Sequence, residues 1–427
     1  MSRIDQLIAE LCPEGVEFKK LGDVGEFIRG SGLQKSDLKD SGVGAIHYGQ
    51  IHTYYETWTK TTKSFVDFEL AERLRKAKPG DVVIATTSED DDAVAKAVAW
   101  VGNEEIVVSG DAYIYRHSLD PKYVSYLFQT RQFQDQKKSS ITGTKVRRIS
   151  GDALSRIRVP VPPFEIQRNV VKILDAFSEL EAELEAELEA RRRQYQYYRD
   201  ALLTFPERND GDGASKQASK QASKQLCRWM TMGEVANIVR GASPRPIASF
   251  ITQDEDGIPW VKIGDVAPGG KFITGTEERV TEAGAAKSRR VYPGDFVLSN
   301  SMSFGRPYIS QIEGCIHDGW LSISGFCDYF IPDFLYHLLR SGRVQADFER
   351  RAGSGTVRNL NADLVKSTLV PVPSFEEQAR IVAILDKFDT LVNDLTSGLP
   401  AEIAARRQQY EYYRDRLLTF REKRVAA

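Results

Sequence analysis

The stretch RRRQYQYYRDALLTF (residues 191–205) returns near the C-terminus as ARRQQYEYYRDRLLTF (residues 405–420). Both copies contain a tyrosine, a variable residue, two adjacent tyrosines, an arginine and an aspartate in the same order. Agreement at so many chemically distinct positions indicates duplication, because self-similarity at a fixed distance is typical of repeated structural units. We therefore expect a fold in which one unit occurs twice.

The duplication extends outward from these two segments. Four further pairs match in the same order, namely 21–30 with 232–241, 78–88 with 292–302, 142–154 with 354–365, and 159–177 with 370–388. By contrast, residues 31–77 and 242–291 share almost nothing. A retained scaffold with a varied recognition surface would produce this pattern, and so would relaxed drift of surface loops.

The globular part of each copy has the pattern of a mixed α/β domain. The runs DVVIAT (residues 81–86) and DFVLSN (residues 295–300) follow Pro-Gly turns and are predicted to be strands. Residues 120–136, with Tyr123, Leu127 and Phe128 on one face, and residues 331–349 are predicted to form amphipathic helices. The predicted fold class is α/β, with two tandem mixed domains.

Each globular part is followed by a long helix with an apolar seam. The prolines of VPVPPFE (residues 159–165) precede the first helix, which from Gln167 to Thr204 would be about 57 Å long at ~1.5 Å per residue. In the second copy, Gly398 and Pro400 should interrupt the helix before it restarts. Two such seams in one chain are most simply buried against each other. This predicts an antiparallel coiled coil and a pseudo-two-fold internal repeat.

Composition narrows the class of protein. A chain of 427 residues that is 41% apolar suggests two or more soluble domains. The charged N-terminus and the lack of a long apolar run predict a cytoplasmic protein with no membrane partner. The four cysteines lack the spacing of a zinc site or a disulfide framework. A net charge of −2 neither favours nor excludes nucleic acid, because basic and acidic residues are segregated along the chain.

The sequence lacks the motifs of several common enzyme classes. It has no P-loop, no dinucleotide-binding glycine pattern and no HExxH. Amino-methyltransferases place Asn, Asp or Ser before Pro-Pro-aromatic, whereas here Val161 stands before Pro-Pro-Phe and the second copy reads VPSF. The acidic run EDDD (residues 89–92) has no supporting ligand and is interpreted as a solvated loop. We therefore predict no catalytic residue, no bound cofactor and no metal.

Several of these segments together resemble the specificity subunit of type I restriction–modification systems. They are the tandem plan, both VPVP segments, ILDAF and ILDKF, and QYQYYRDALLTF and QYEYYRDRLLTF. The resemblance covers the whole chain and is strongest in the helical regions. It implies two target-recognition domains that each read one half of a split, asymmetric target in double-stranded DNA. The implied order is target-recognition domain 1 (1–156), central helical spacer (157–209), linker (210–226), target-recognition domain 2 (227–367) and C-terminal helical spacer (368–427).

The resemblance also implies partners. Two modification (methyltransferase) subunits would grip the helical region and methylate adenine, and restriction (endonuclease and translocase) subunits would complete the complex. S-adenosylmethionine, ATP and magnesium would then be bound by those partner subunits. The chain itself would be a non-catalytic subunit.

Candidate DNA contacts come from two pairs of segments. The turns SSITGTKVRR (139–148) and GSGTVRN (353–359) combine small residues with side chains that reach phosphates and base edges, although their small residues could serve only to shape the turn. IHYGQIHTYY (46–55) and WVKIGDV (260–266) place polar groups after aromatic residues, with a buried strand as the alternative. The candidates are Lys137, Lys138, Thr144, Lys145, Arg147, Arg148, Tyr48, Gln50, Thr356, Arg358, Asn359, Lys262, Asp265 and Asn300.

The repeated helix ends have two interpretations. They could close the core of the coiled coil, or their tyrosines and arginines could anchor a partner. The resemblance favours modification subunits there, and both interpretations can hold for different faces. The candidate contacts are Tyr195, Tyr198, Arg199, Tyr410, Tyr413 and Arg414.

A scaffold or adaptor protein without DNA specificity is the rival class. It would explain the coiled coil, but it would not explain two domains whose variable segments are flanked by matching sequence.

Overall fold

A computed structural model describes residues 3–206, 227–266, 270–300, 304–352, 359–394 and 396–423. The chain divides into two compact units. Unit 1 comprises Met1–Glu183 and Ala404–Ala427, and unit 2 comprises Leu184–Ile403. Each unit therefore contains one globular copy together with parts of both helical regions. The predicted linker at residues 210–226 lies outside the described residues.

Unit 1 contains short strands and helices in alternation. Its strands are β1 (Phe18–Lys20), β2 (Gly25–Arg29), β3 (Val43–Ile46), β4 (Trp58–Thr59), β5 (Ser64–Val66), β6 (Lys76–Ala77), β7 (Val82–Ala85), β8 (Thr87–Ser88), β9 (Ala97–Trp100), β10 (Ile106–Val108), β11 (Ala112–His117), β12 (Arg147–Arg148) and β13 (Arg158–Pro160). Its helices are α1 (Arg3–Leu11), α2 (Leu21–Val24), α3 (Tyr48–Thr53), α4 (Phe68–Arg73), α5 (Pro121–Gln129), α6 (Arg131–Lys138) and α7 (Gly151–Arg156). The long helix α8 (Phe164–Leu202) begins in unit 1 and ends in unit 2.

The strands of unit 1 form two main sheets, ordered β2-β11-β7-β9-β4 and β5-β3-β10-β6. All residues of β7 are buried, because both faces of the strand are covered. Val82 and Ile84 pack in the cluster that contains α5, whereas Val83 and Ala85 pack in the cluster that contains α3. This alternation follows from the two-residue period of a strand.

Unit 2 repeats this plan. Its strands are β14 (Arg228–Thr231), β15 (Asn237–Arg240), β16 (Ile251–Thr252), β17 (Ile258–Val261), β18 (Phe272–Ile273), β19 (Glu278–Val280), β20 (Arg289–Val291), β21 (Phe296–Ser299), β22 (Pro307–Ser310), β23 (Gly314–Ile316), β24 (Trp320–Ser324) and β25 (Leu369–Val372). Its helices are α9 (Met232–Val235), α10 (Glu282–Ala285), α11 (Pro332–Leu339), α12 (Gly342–Arg351), α13 (Ala362–Lys366) and α14 (Phe375–Asn393), followed by α15 (Leu399–Leu417), which ends in unit 1.

The two main sheets of unit 2 are ordered β15-β24-β21-β22-β18 and β16-β19-β17-β23-β20. In the first, β15, β24 and β21 take the places that β2, β11 and β7 have in unit 1. In the second, β17 pairs parallel with β23, as β3 pairs parallel with β10. The mixed α/β class and the internal repeat predicted from the sequence are confirmed.

The long helices run antiparallel within each unit. In unit 1, Phe177 stacks on Tyr413 with ring centroids 5.5 Å apart, and Glu181, one turn further along α8, pairs with Arg407. In unit 2, Tyr195 and Tyr198 both stack on Phe388 of α14. The predicted interruption is present, because α14 ends at Asn393 and α15 begins at Leu399.

Candidate functional site

Three loops meet at one edge of the larger sheet in unit 1. Because β2 and β7 are antiparallel to β11, the ends of β2 and β7 lie beside the start of β11. Thr86 ties two of these loops together, since its backbone N and its Oγ1 both donate to the carbonyl of Asp111 at 2.9 Å. These three loops comprise residues 29–34, 86–92 and 109–111. Together with the α3 segment (residues 47–54) and the basic turn (residues 142–148), we call them the loop edge of unit 1.

Helix α3 connects the two sides of this loop edge. At its start, Tyr48 N donates to Ser109 Oγ at 2.8 Å. Near its end, His52 Nε2 lies 2.9 Å from the Thr87 carbonyl, which requires the ring to donate there. Burial lowers the pKa of His52, and the contact with this carbonyl opposes that shift. A neutral imidazole at this position therefore links α3 to β8.

The basic turn of the first copy is a hairpin beside β8. Thr142 and Arg148 exchange backbone hydrogen bonds of 2.9 and 2.8 Å, and Arg147 and Arg148 pair with Ser88 and Thr87. Gly143 has φ +95°, and a Cβ there would lie 2.1 Å from the Val146 carbonyl oxygen. Glycine is therefore required to close the turn. Thr144, Lys145 and Arg148 are exposed at its tip and flank.

Arg147 is held by the acidic loop that follows β8. Its Nε lies 2.9 Å from Asp91 Oδ1, and its Nη1 donates to the Gly143 carbonyl at 2.6 Å. The EDDD run is thus not only a solvated loop, because one of its carboxylates has a basic partner. Over the described residues, no group of three or more side chains could hold a metal ion.

Lys137 does not have the position that a DNA contact requires. Its side chain is completely buried, and Nζ donates to the carbonyls of Asp92 at 2.9 Å and Val94 at 2.7 Å. The ammonium therefore supports the backbone of the acidic loop from within, and we withdraw Lys137 as a candidate phosphate ligand. Lys138 is exposed and lies 3.6 Å from Asp135.

Tyr48 and Gln50 belong to the start of α3. Gln50 is committed to the fold, because its Oε1 accepts from His47 N at 3.1 Å and its Nε2 donates to Ser64 Oγ at 2.7 Å. Tyr48 is half-buried and lines a cavity of about 310 Å³ together with Arg29, Gln34 and His47. Tyr48 is therefore placed to contact a ligand, whereas Gln50 mainly fixes the helix start.

In unit 2 the equivalent residues are also tied to the fold. Lys262 Nζ lies 2.6 Å from Glu278, and Asp265 accepts from the backbone N of Lys262 and of Glu277. Asn300 is 3% exposed and donates to the Asp318 carbonyl at 2.9 Å, so its amide is not available to a base. Asn359 is exposed, and Thr356 and Arg358 lie outside the described residues.

The first repeated helix end docks on the globular part of unit 2. Tyr195 is 4% exposed, and its hydroxyl donates to Asp389 at 2.9 Å and lies 3.1 Å from His337 Nδ1. Burial raises the pKa of this phenol, so it stays protonated and donates. Arg199 is likewise buried, which makes Tyr195 and Arg199 core residues rather than partner contacts. Tyr198 is 40% exposed and keeps one face available.

The second helix end has the same role in unit 1. Tyr410 donates to Gln129 Oε1 at 3.0 Å, and Arg414 pairs with Asp415 at 3.1 Å. Tyr413 stacks on Phe177 and is still 36% exposed. The first tyrosine of each stripe is therefore structural, whereas the third remains accessible, and contact of that third tyrosine with a partner stays a prediction.

Sequence reasoning missed the role of the aspartate in each repeated helix end. Asp200 Oδ1 accepts from Gly342 N, the first residue of α12, at 2.8 Å. Asp415 Oδ1 accepts from Arg131 N, the first residue of α6, at 3.3 Å. A carboxylate at a helix start satisfies a free N–H and interacts favourably with the helix dipole. The recurrence of the aspartate in both copies was the available signal.

Comparison with known sequences gives the family. The chain matches the type I restriction modification DNA specificity domain over residues 13–190 and again over residues 228–405. It is similar to the EcoR124I/EcoR124II type I restriction enzyme specificity subunit of Escherichia coli, with 32% identity over 284 residues, 64% of this chain and 65% of that protein. A putative type I restriction enzyme specificity subunit of Haemophilus influenzae is 28% identical over 95% of this chain and 96% of its own length.

Because the two matched ranges take up most of its length, this chain belongs to the type I restriction–modification DNA specificity family. Solved structures agree at the level of the fold. One, from work on complex assembly and conformational transition of the type I R–M system, has a TM-score of 0.67 at 19% identity and covers 95% of this chain and 97% of its own. The S subunit from M. genitalium has a TM-score of 0.50 at 14% identity, covering 95% and 96%. No helix among the described residues is long and apolar enough to cross a membrane.

Proposed function

We propose that this chain is the DNA-recognition subunit of a type I restriction–modification complex, and that its two units read different halves of one asymmetric, bipartite target. The observation that carries this proposal is the matched pair of sheet edges. The same strands support the loops in both units, while residues 31–77 and 242–291, which supply all but one strand of the neighbouring sheet in each unit, differ in sequence. Two readers on one scaffold suit two half-sites on one DNA duplex.

Catalysis in this proposal belongs to partner subunits. Two modification subunits bind S-adenosylmethionine and methylate adenine, with the base turned out of the helix into their own pocket. Restriction subunits supply the chemistry that needs ATP and magnesium. The sequence supports this division of labour, because Val161 stands where an amino-methyltransferase needs a hydrogen-bond acceptor. The exposed faces of Tyr198 and Tyr413 are the proposed contacts for the modification subunits.

A methylome comparison tests the proposal directly. The host genome is sequenced for adenine methylation with and without this gene, in the presence of the modification subunit. We expect one split motif that disappears with the gene. The purified chain alone should show neither methyltransferase nor nuclease activity, and catalysis by the chain alone would overturn the non-catalytic assignment.

Domain exchange distinguishes a reader from a scaffold. Residues 242–291 are replaced by the equivalent segment of a relative, and the reciprocal variant replaces residues 31–77. Each exchange should change one half of the methylated motif and leave the other half intact. If neither half changes although the complex remains active, a scaffold without DNA specificity becomes the better description.

A further inference from the structure

Arg29 ends β2 at the loop edge of unit 1 and has a close counterpart in unit 2. Its Nε donates to the carbonyl of Gly110 at 2.9 Å, and its side chain is 64% exposed. Arg240 ends β15, is also exposed, and donates from Nε to the carbonyl of Asp318 at 3.0 Å. The two acceptors occupy equivalent positions. Gly110 lies three residues before Tyr113, the strand partner of Arg29, and Asp318 lies three residues before Leu321, the strand partner of Arg240.

The glycine after each arginine allows two backbone segments to approach closely at the sheet edge. A Cβ on Gly30 would lie 2.0 Å from the Ser109 carbonyl oxygen, and a Cβ on Gly241 would lie 2.0 Å from that of His317. Gly30 N donates to Ala112 at 2.8 Å, and Gly241 N donates to Trp320 at 2.9 Å. Two backbones therefore approach closely at the same place in both units, and each approach holds one arginine at the sheet edge.

A second arginine occupies the same aligned position in both copies of the sequence. Arg75 is exposed and donates from Nη1 to the Arg29 carbonyl at 2.6 Å. Its counterpart by alignment of RKAKPGD with RRVYPGD is Arg289, which is exposed at the start of β20. The carboxylates recorded at these edges are loosely paired: Asp111 lies 4.0 Å from Arg29 Nη2, and the carboxylate of Asp318, whose carbonyl accepts from Arg240, lies 3.8 Å from the exposed Arg245. Both sites therefore keep a surplus of exposed guanidinium groups.

These observations point to a shared chemistry. When Nε is bonded to a backbone carbonyl, the guanidinium is oriented, and its terminal nitrogens can bind an anion with two parallel hydrogen bonds. Contacts to phosphate position a protein on DNA but carry no sequence information, so the same residue can serve two domains that read different bases. Loop residues that differ between the units cannot share such a role.

We propose that Arg29 and Arg240 are a matched pair of phosphate-binding residues, one in each unit, which hold the DNA backbone irrespective of base sequence. This inference rests on the proposed function and adds the residues that make its sequence-independent contacts. The competing explanation is that each arginine only shapes the turn through its Nε hydrogen bond.

The test measures DNA binding by the complex of the full chain with its modification subunit, over a range of salt concentrations. Target duplex, defined by the wild-type methylome, and a scrambled duplex are compared. The slope of log K against log salt is negative. Arg29→Ala and Arg240→Ala should each make it less steep by about 0.9, and the double variant by about 1.8. The loss should be equal for both duplexes, and the methylated motif should not change.

Two controls separate phosphate binding from folding. Arg156→Ala removes one exposed charge at the end of α7, away from the loop edge, and should leave the slope unchanged. Arg29→Lys keeps a positive charge and should recover most of the slope. A lower melting temperature with an unchanged slope would overturn the proposal in favour of turn shaping, and a changed motif would mean that the arginines read bases. A wild-type complex that does not prefer its target would instead contradict the proposed function.

Discussion

Lys137 and Lys145 lie eight positions apart in one basic segment, yet the fold gives them opposite environments. Lys137 is buried beneath the acidic loop, and Lys145 is exposed at the hairpin tip. Local charge density could not separate them, because it ignores which face of a helix a residue occupies. Helical spacing could have done so, since Phe133, four residues before Lys137, lies on the same buried face of α6.

Replacement of Lys137 should therefore affect stability and not DNA binding. Lys137→Met leaves the carbonyls of Asp92 and Val94 without their donor, which should cost about 1–3 kcal/mol in the free energy of unfolding. Chemical denaturation measures the loss, and Lys138→Met, an exposed neighbour, should stay within about 0.5 kcal/mol of wild type. A flatter salt dependence of DNA binding in Lys137→Met would restore Lys137 to the interface.

The same residue predicts a pH dependence. Burial lowers the pKa of Lys137 from 10.5 to about 8. Between about pH 8 and pH 10.5 the unfolded chain therefore binds this proton more tightly than the folded chain, and stability rises with pH over that window. Relative to Lys137→Met, the wild-type unfolding free energy should increase from pH 8 to pH 10. A flat or falling difference would contradict the buried, protonated ammonium.

The hairpin arginines and lysine should contribute unequally to DNA binding. Lys145→Ala and Arg148→Ala should each lower the salt slope by about 0.9 if each side chain meets one phosphate. Arg147→Ala should have a smaller effect, because its guanidinium is already paired with Asp91 and with the Gly143 carbonyl. Binding titrations on a scrambled duplex check this order. An unchanged slope in all three variants would remove the hairpin from the interface.

At the scale of elements, the sequence predicted the parts that repeat and missed the parts that depend on packing between distant segments. The strands β7 and β21 and the interrupted second helix follow from local patterns of β-branched residues, glycine and proline. The roles of Asn300 and Gln50 could not be predicted, because their hydrogen-bond partners are brought in by the tertiary fold. A polar residue in a recognition segment looks the same in sequence whether it faces ligand or backbone.

The aspartates of the repeated helix ends should stabilise the contact between each long helix and the globular part of its unit. Asp200→Asn and Asp415→Asn each weaken a charged acceptor at a helix start, which should cost about 1 kcal/mol or less. Asp200 should matter more, because its hydrogen bond is 2.8 Å long and that of Asp415 is 3.3 Å. Thermal unfolding compares both with Asp256→Asn, an exposed residue in the turn between β16 and β17. Equal stability in all three variants would show that these docking contacts carry little energy.

At the scale of the whole molecule, the duplication was readable because both copies keep the residues that support the sheet edges and the helix ends. The variable segments 31–77 and 242–291 look unrelated in sequence, yet both supply a strand that pairs parallel with its neighbour in the second sheet. Strand pairing depends on backbone hydrogen bonds and on burial, which many sequences satisfy. Shared topology was therefore hidden at these positions.

The central helix also invites a prediction about spacing. LEAELEAELEAR (residues 180–191) is a four-residue repeat within α8, and the repeat offset grows from 211 at Val159 and Val370 to 215 at Phe205 and Phe420. In the second copy this added length lies between Phe388 and Tyr410, a range in which α14 ends at Asn393 and α15 begins at Leu399. The helical region thus accommodates a change of length in one copy without losing the docking of its ends.

Insertion of one further LEAE unit after Glu187 should therefore be tolerated and should move the two readers apart. Four residues rotate a helix by about 400°, a drift of only ~40°, so Leu188, which is 8% exposed, keeps nearly the same direction. The insertion adds about 6 Å of helix, whereas DNA rises ~3.4 Å per base pair. We expect the gap between the half-sites to grow by one or two base pairs, with the bases in each half unchanged.

Genome-wide mapping of methylated adenines, with the modification subunit co-expressed, measures that gap. A two-residue Ala-Ala insertion at the same site is the control, because it turns the apolar seam by about 200° and should disrupt assembly rather than reset the spacing. If the LEAE variant is folded and active but methylates sites with the original spacing, the length of α8 does not set the distance between the half-sites. In that case the repeat has only drifted in number under a permissive helical pattern.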